Sequence, residues 1–170
     1  SACNFYDGVT QSEVEEYYKT QKTVFIKFPA KKDKTDTELA IDLAKDMGYS
    51  NITMLGFLGE RLDHMLGNIF MLYYAQQLGL KLELVDENNK AWLITKGKTK
   101  ILNEKGRTIS FITLGDNAYG ITLKGFAYPL DNYNLELGST RCISNIVSED
   151  EAEIELEIGK LIAILTNPEL

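Results

Sequence analysis

Apolar residues follow a helical spacing in the first half of the chain, interrupted by short runs typical of buried strands. Leu39, Leu43 and Met47 recur every four residues, and Gly48 follows where helices often end. A longer stripe with the same spacing fills the segment before Gly79. Helices and strands in alternation are typical of an α/β unit. The predicted elements are helix Ser12–Thr20, strand Thr23–Phe28, helix Thr35–Met47, strand Asn51–Phe57 and helix Arg61–Leu78.

Alternating apolar and polar residues dominate the second half, most clearly from Ala152 to Ile158, where the glutamates are expected to face solvent on an edge strand. Many short strands separated by turn sequences indicate a β-sandwich or a flattened barrel. We therefore expect an α/β domain over residues 1–79 and an all-β domain over residues 80–170. The predicted strands are Lys81–Asp86, Ala91–Thr95, Thr99–Asn103, Arg107–Leu114, Tyr119–Lys124, Asn134–Leu137, Arg141–Val147, Ala152–Ile158 and Lys160–Leu165.

Composition narrows the functional classes. The 170 residues include 18 basic and 25 acidic ones, and the resulting net charge of −7 argues against a general nucleic-acid surface. The cysteines, Cys3 and Cys142, have no metal-ligand spacing, so a reducing cytosol is the simpler setting. The sequence has neither a signal-peptide pattern nor an apolar run near the ~20 residues of a membrane helix, and we expect a cytoplasmic protein.

The segment Lys32-Asp33-Lys34-Thr35-Asp36 places acids and bases at the predicted start of a helix. Free backbone N–H groups and the helix dipole attract anions there. Lys34 can neutralise phosphate charge, and a carboxylate there can ligate Mg²⁺, which takes oxygen ligands and bridges to phosphates. The alternative is an ordinary capped helix start with solvated charges.

The segment Gly56 to His64, which reads GFLGERLDH, joins a predicted strand to a predicted helix. Its two glycines let the backbone approach a bulky ligand closely. Arg61 offers a planar fork suited to phosphate oxygens, and Asp63 can hold Arg61 in place or contact a metal-bound water. The alternative is a tight turn with an Arg–Asp surface pair, and His64 is expected to be structural.

A third segment, Ser139 to Asn145, supplies a hydroxyl at Ser144 and an amide at Asn145, inside or just after a predicted strand. Such groups can orient a polar ligand ring. The alternative is a turn without a ligand.

Taken together, the three segments resemble the signatures of the thiamin pyrophosphokinase family, from about Ser12 to about Leu165. They read KDKTDTELA, GFLGERLDH and TRCISN here, and the GFAYPL stretch from Gly125 to Leu130 is similar to the family's turn before the last motif. The resemblance implies transfer of a diphosphoryl group from ATP to thiamin. It also implies an α/β nucleotide-binding domain followed by a β-sandwich that binds thiamin.

On the nucleotide side, the resemblance implies that Asp36 is a Mg²⁺ ligand and that Arg61 and Asp63 belong to the ATP site. Asp36, Arg61 and Asp63 are the residues expected to serve catalysis, with Asp63 a weak candidate for the proton acceptor. The residues also assigned to ATP are Asp33, Lys34 and Thr35. On the thiamin side, Ser144 and Asn145 are expected to face the substrate, in a homodimer that shares its active sites across the interface.

Two departures from the family pattern affect these expectations. Family members begin with a further strand–helix segment and an acidic GDxDS motif that ligates magnesium, whereas this chain reads Phe5-Tyr6-Asp7-Gly8 at that place. Asp7 is expected to be the remaining metal-binding acid. Two parallel strands leave an exposed sheet edge, so we expect additional amino-terminal sequence in the native protein, and the family resemblance implies on the order of forty residues.

Cys142 stands where the family motif has a glycine, and its side chain is expected to alter the backbone beside Ser144. These departures leave an alternative function open, namely a thiamin- or nucleotide-binding module without catalysis.

Overall fold

The computed structural model of the chain describes residues 33–56 and 61–167. Within those two ranges the protein has two helices and ten strands, so it is mostly β-sheet. The chain divides into two compact units, Ser1–Asp86 and Glu87–Leu170. The predicted helix Ser12–Thr20, the predicted strand Thr23–Phe28 and Asp7 lie outside the described residues. Neither described helix is long and apolar enough to span a membrane.

The first unit contains helix α1, strand β1, helix α2 and strand β2. The Thr35 side chain caps α1 by accepting a hydrogen bond from the backbone N–H of Glu38, at 3.2 Å. Gly48, with φ of +81°, follows the end of α1 in the left-handed conformation that was predicted for it. The bounds are α1 Asp36–Asp46, β1 Asn51–Leu55, α2 Leu62–Gln77 and β2 Lys81–Val85.

Strands β1 and β2 run parallel and in continuous register, from Asn51 opposite Lys81 to Leu55 opposite Val85. Since α2 connects them, the three elements form a βαβ crossover. The Gly56 N–H extends the pairing by donating to the Val85 carbonyl at 3.3 Å. Helix α2 therefore follows the carboxyl end of β1.

Helices α1 and α2 lie side by side and run in the same direction. The Thr37 hydroxyl, in the first turn of α1, donates at 3.1 Å to Asn68 Oδ1, near the middle of α2. About five residues further along both helices, the Tyr74 hydroxyl donates to Asp42 Oδ1 at 2.5 Å. Because the order of contacts is the same in both helices, their amino termini point toward the same side of the unit.

The second unit consists of two antiparallel arrays with the strand orders β3-β10-β5-β8 and β4-β9-β6-β7. Buried side chains from both arrays form one hydrophobic core, in which the rings of Phe111 and Phe126 meet edge to face at 5.8 Å. The bounds are β3 Asn89–Ile94, β4 Gly97–Leu102, β5 Thr108–Thr113, β6 Ala118–Lys124, β7 Leu130–Leu135, β8 Asn145–Ile146, β9 Glu151–Leu156 and β10 Leu161–Thr166.

The glutamates of β9 were predicted to lie on an edge strand, and that prediction is wrong because β9 runs between β4 and β6. The prediction that these glutamates face solvent is confirmed in part, because exposed lysines of the neighbouring strand contact them. Lys98 Nζ lies 3.4 Å from carboxylate oxygens of both Glu153 and Glu155, and Lys100 Nζ lies 2.5 Å from Glu151. These cross-strand ion pairs offset the negative charge of the glutamates on the interior strand β9.

The predicted strand Arg141–Val147 is reduced to the two residues of β8. Turn contacts occupy the rest of the segment, because Ser139 Oγ accepts from the Arg141 N–H and the Thr140 carbonyl accepts from the Ile143 N–H. Ser144 then adopts a positive φ of +58°, which breaks the extended conformation. A strand also begins earlier than predicted, at Leu130 rather than Asn134.

Candidate functional site

The amino terminus of α1 presents three of the predicted nucleotide-binding residues. Asp33, Thr35 and Asp36 are all exposed there. The Thr35 side chain serves as the helix cap, so the prediction that this segment is a capped helix start is confirmed. Asp36 is the first residue of the helix, where a carboxylate is stabilised by the helix dipole. The segment therefore places a capping residue, a carboxylate and free backbone N–H groups at the same end of α1.

Lys34 is engaged by side chains of its own unit. Its ammonium lies 2.6 Å from Asp42 Oδ2, 3.1 Å from the Tyr74 hydroxyl and 3.2 Å from Glu38 Oε1. The hydrogen bond to Asp42 is the main cause of a raised pKa for Lys34, followed by those to Tyr74 and Glu38. The phosphate-neutralising role of Lys34 stays a prediction, and the ammonium would have to leave these three partners to perform it.

Arg61 and Asp63 form a bidentate pair immediately before and inside the first turn of α2. Arg61 Nη2 lies 2.6 Å from Asp63 Oδ2, and Arg61 Nε donates to Asp63 Oδ1 at 3.2 Å. The guanidinium lowers the pKa of the Asp63 carboxyl to about 2, and the His64 backbone N–H contributes. Both side chains remain about two-thirds exposed. The pair is therefore open to exchange with a phosphate that approaches from solvent.

The predicted ATP residues that the structure describes lie at the amino termini of α1 and α2. Helix α2 follows the carboxyl end of β1, and Gly56, with φ of +72°, turns the chain there. Because Thr37 and Asn68 are level and each residue adds 1.5 Å, α2 begins roughly 7 Å further toward that end than α1. The amino terminus of α2, which carries Arg61, therefore extends beyond the amino terminus of α1, which carries Asp36.

The metal prediction rests on Asp36 and Asp7, of which the structure describes only Asp36. No cluster of three or more metal-binding side chains occurs within residues 33–56 and 61–167. Mg²⁺ nevertheless often takes only one or two protein carboxylates and completes its shell with water and substrate phosphates. An exposed carboxylate oxygen at the phosphate end of α1 fits that chemistry.

The predicted thiamin residues belong to the second unit and differ in character. Ser144 is exposed, and its backbone N–H donates to Ser110 Oγ at 3.0 Å. Asn145 is only 4% exposed, and its amide is engaged by the backbone. Its Oδ1 accepts from the N–H groups of Tyr128 and Ile146 at 3.0 and 2.8 Å, and its Nδ2 donates to the Tyr128 carbonyl at 2.8 Å.

Cys142 fills space in the hydrophobic core and does not reach the surface near Ser144. Burial raises the pKa of its thiol. Its backbone carbonyl accepts from the Phe111 N–H at 2.9 Å, which ties the segment to β5. The side chain that replaces the family's glycine therefore anchors this loop.

Sequence reasoning missed Asp42, Tyr74 and Tyr128. Asp42 and Tyr74 lie 8 and 40 residues beyond Lys34, so no local motif connects them. Tyr128 is 66% exposed, and its backbone N–H and carbonyl are both hydrogen-bonded to the Asn145 side-chain amide. An aromatic residue within the GFAYPL stretch, directly before a proline, was the available signal for Tyr128.

Known proteins match both parts of the chain. Models of the thiamin pyrophosphokinase catalytic domain and vitamin B1 binding domain match residues 8–84 and 98–161. The chain is 36% identical to thiamine pyrophosphokinase of Bacillus subtilis (strain 168) over 160 residues, covering 94% of this chain and 74% of that protein. It is 26% identical to thiamine pyrophosphokinase 1 of Oryza sativa subsp. japonica, covering 84% of this chain and 57% of that protein.

Solved structures agree with the sequence matches. The crystal structure of the Bacillus subtilis thiamine pyrophosphokinase superposes with a TM-score of 0.83 at 34% identity, covering 97% of this chain and 77% of that chain. That of the Geobacillus thermodenitrificans thiamin pyrophosphokinase gives 0.79 at 29% identity, covering 95% and 74%. These similarities in sequence and structure show that the chain belongs to the thiamine pyrophosphokinase family.

Proposed function

We propose that this protein is a thiamine diphosphokinase, which transfers a diphosphoryl group from MgATP to the hydroxyl of thiamin and releases AMP. One observation carries the proposal within the family: Asp36 and Arg61 lie at the same end of two parallel helices, beyond the carboxyl end of β1. Ligands of α/β units bind at that edge. Two helix amino termini there favour the phosphates.

In the proposed reaction, the thiamin hydroxyl oxygen forms a bond to the β-phosphorus of ATP. The bond from that phosphorus to the oxygen bridging it to the α-phosphorus breaks, and this oxygen leaves with AMP. The hydroxyl proton passes to a base. Such a transfer depends mainly on positioning and on neutralising phosphate charge.

Arg61 supplies positive charge and a planar fork for the phosphate oxygens. In the structure this fork is held by Asp63, so we propose that Arg61 exchanges from Asp63 to ATP on binding. The exchange has a second effect. Once Arg61 leaves, the pKa of Asp63 rises from about 2 toward its usual value of 3.8, which makes Asp63 a better acceptor for the hydroxyl proton.

Asp36, together with Asp7 outside the described residues, would hold Mg²⁺. When bound, the ion would supply positive charge that offsets the negative charge of the phosphates. Thr35 keeps the first turn of α1 formed, so that its backbone N–H groups and Asp36 stay aligned. Asp33 precedes that turn and is proposed as a further contact of the nucleotide.

For thiamin, we propose that Ser144 offers its hydroxyl and that Asn145 supports the adjacent backbone. The exposed ring of Tyr128 lies in the segment held by Asn145 and is suited to the flat, cationic substrate. The finer architecture belongs to the same proposal, with an α/β nucleotide-binding domain that corresponds to the first unit, including β2, and a thiamin-binding β-sandwich that corresponds to the second.

We further propose a cytoplasmic homodimer whose sites are shared between subunits. The exposed apolar side chains of Leu62, Leu66 and Phe70 support association, because they recur every four residues along α2 and are 64%, 45% and 54% exposed. A continuous apolar face of this kind is typical of an interaction surface.

The decisive experiment incubates the purified protein with thiamin, ATP and Mg²⁺ and measures thiamin diphosphate and AMP. Both products should form in equal amounts. Asp36→Asn should abolish most turnover while the melting temperature changes little, because position 36 is exposed at a helix end. Asp46→Asn, at the opposite end of α1, is the matched control and should retain full activity.

The alternative is a module that binds thiamin or nucleotide without catalysis. Thermal-shift measurements separate the two, since both predict stabilisation by the ligands but only the enzyme releases AMP. Stabilisation by thiamin and MgATP with no AMP would establish the binding module. Full turnover by Asp36→Asn at limiting Mg²⁺ would instead contradict the metal-binding role of Asp36.

A further inference from the structure

A cluster of polar side chains joins the start and first two turns of α1 to the carboxyl-terminal half of α2. It consists of Lys34, Glu38, Asp42 and Tyr74, which we call the interhelix cluster. The Lys34 ammonium contacts Asp42 at 2.6 Å, the Tyr74 hydroxyl at 3.1 Å and Glu38 at 3.2 Å. The Tyr74 hydroxyl in turn donates to the second oxygen of Asp42 at 2.5 Å. Lys34 and Asp42 of the α1 segment therefore contact Tyr74 of α2 directly, and Glu38 takes part through Lys34.

Asp42 and Tyr74 lie well behind the helix ends that carry Asp36 and Arg61. Asp42 follows Asp36 by six residues, which is about 9 Å along the helix. Tyr74 follows Arg61 by thirteen residues, which is roughly 20 Å. The Lys34 side chain thus runs back along the first two turns of α1, away from the end that carries Asp36.

The charges within the cluster reinforce one another. Burial alone would raise the pKa of Asp42, but hydrogen bonds from Lys34 and Tyr74 outweigh it and lower that pKa. The hydrogen bond to Asp42 raises the pKa of Tyr74. At neutral pH the cluster therefore holds an ammonium, a carboxylate and a neutral phenol, each in the state that its partners require.

We propose that Asp42 and Tyr74 are positioning residues which, through Lys34, fix the first turn of α1 against α2. Lys34 immediately precedes the capping residue Thr35 and the proposed metal ligand Asp36. Holding its side chain on α2 therefore sets where that turn lies relative to Arg61. The inference rests on the proposed function for its effect on turnover, and it assigns Lys34 to alignment instead of phosphate contact.

The test compares Tyr74→Phe and Asp42→Asn with Tyr49→Phe and Asp46→Asn, two exposed controls at the far end of α1. Tyr74→Phe removes only the hydroxyl that donates to Asp42. We expect kcat to fall about tenfold in both cluster variants, because a displacement of ~1 Å can cost more than that. The KM for thiamin should stay unchanged, and both controls should match the wild type. All rates are measured well below the melting temperature of each variant, so that loss of folded protein does not contribute.

A double-mutant cycle distinguishes alignment through Lys34 from independent effects. If Tyr74 acts through Lys34, Tyr74→Phe should have little further effect on kcat in a Lys34→Met background. Unchanged kcat in Tyr74→Phe and Asp42→Asn, with a raised KM for ATP in Lys34→Met, would overturn the proposal and establish Lys34 as a phosphate contact. A lowered melting temperature with unchanged kcat would also overturn it, because the cluster would then only stabilise the fold.

Calorimetric titration with MgATP separates failure of this inference from failure of the proposed function. If the wild type binds MgATP but shows no turnover, the proposed function fails. The inference then requires a Kd that is weakened several-fold in Tyr74→Phe and unchanged in Tyr49→Phe. An equal Kd in the two variants, or no binding by the wild type, would overturn it.

Discussion

At the scale of single residues, the Arg61–Asp63 pair shows how an exposed contact can serve a ligand. The pair is bidentate, yet both side chains are about two-thirds exposed, so it adds little to the stability of the fold. Lysine keeps the charge of Arg61 but loses the planar fork. We therefore expect Arg61→Lys to raise the KM for ATP about tenfold and to leave the melting temperature nearly unchanged.

Steady-state kinetics with varied ATP, together with a thermal melt, check this prediction. An unchanged KM accompanied by a large fall in melting temperature would show that Arg61 is structural. Asp63→Asn is the informative companion, because it removes the carboxylate that holds the guanidinium and leaves Arg61 in place.

Asn145 and Ser144 are neighbours with different expected roles. Asn145→Ala leaves three backbone groups of Tyr128 and Ile146 without their partner, so we expect a loss of about 2–3 kcal/mol in the free energy of unfolding. Ser144→Ala removes a side chain that is exposed, and it should raise the KM for thiamin without a comparable loss of stability. Chemical denaturation and thiamin kinetics on both variants provide the check. Equal stability of the two variants would contradict the supporting role of Asn145.

The structural roles of individual residues were predictable from the sequence where those roles depend on neighbouring positions. The Thr35 cap and Gly48 were predictable because both depend on a few neighbouring positions. The partners of Lys34 and of the Asn145 amide were not, since Tyr74 and Tyr128 are brought to them only by packing of distant segments.

At the scale of elements, the contact between α1 and α2 makes stability depend on acid pH. Folding lowers the pKa of Asp42 below its usual 3.8, so the unfolded chain binds more protons than the native state near that pH. The stability from Asp42 is therefore fully present well above pH 3.8 and is lost as the pH falls through the lower, folded-state pKa. We expect Asp42→Asn to destabilise the protein at pH 7, and we expect this difference to shrink as the pH falls below 3.8.

Denaturant titrations of the wild type and Asp42→Asn across this range check the prediction. A difference between Asp42→Asn and the wild type that does not shrink as the pH falls below 3.8 would contradict the assigned coupling.

The extents of the elements followed from the sequence where the pattern was strong. Helices α1 and α2 agree with their predicted bounds to within one residue, because caps and apolar stripes coincide there. The segment 141–147 has β-branched residues and was predicted as a strand, but side-chain and backbone turn contacts compete with sheet pairing. Propensity alone could not show that the turn prevails.

At the scale of the whole molecule, the proposed dimer makes a prediction about mixed subunits. Asp36 and Ser144 belong to different units of the chain, and a shared site would draw one from each subunit. Subunits carrying only Asp36→Asn should then complement subunits carrying only Ser144→Ala, restoring up to about a quarter of wild-type activity after exchange when thiamin is kept well below the raised KM of Ser144→Ala. Mixing, exchange and an activity assay test this, with light scattering to establish the oligomer. A fully active monomer would contradict it.

The order of strands could not be predicted from the sequence. Strand β10 lies between β3 and β5, which precede it by roughly fifty residues or more, and β9 separates β4 from β6. Such pairings depend on which faces bury together, and many arrangements share the same alternating pattern. The change from α/β to all-β character was visible because it is a change of period, from 3.6 to 2.

The burial of Cys142 has a practical consequence for observing the molecule's motions. Its thiol is 3% exposed within the core of the second unit, so a thiol-modifying reagent reaches it only when that core opens. With Cys3 replaced by serine, the modification rate at saturating reagent reports the opening frequency of this core, much as amide hydrogen exchange does. Comparing that rate with and without thiamin would show whether ligand binding at the surface of the second unit makes its core open less often.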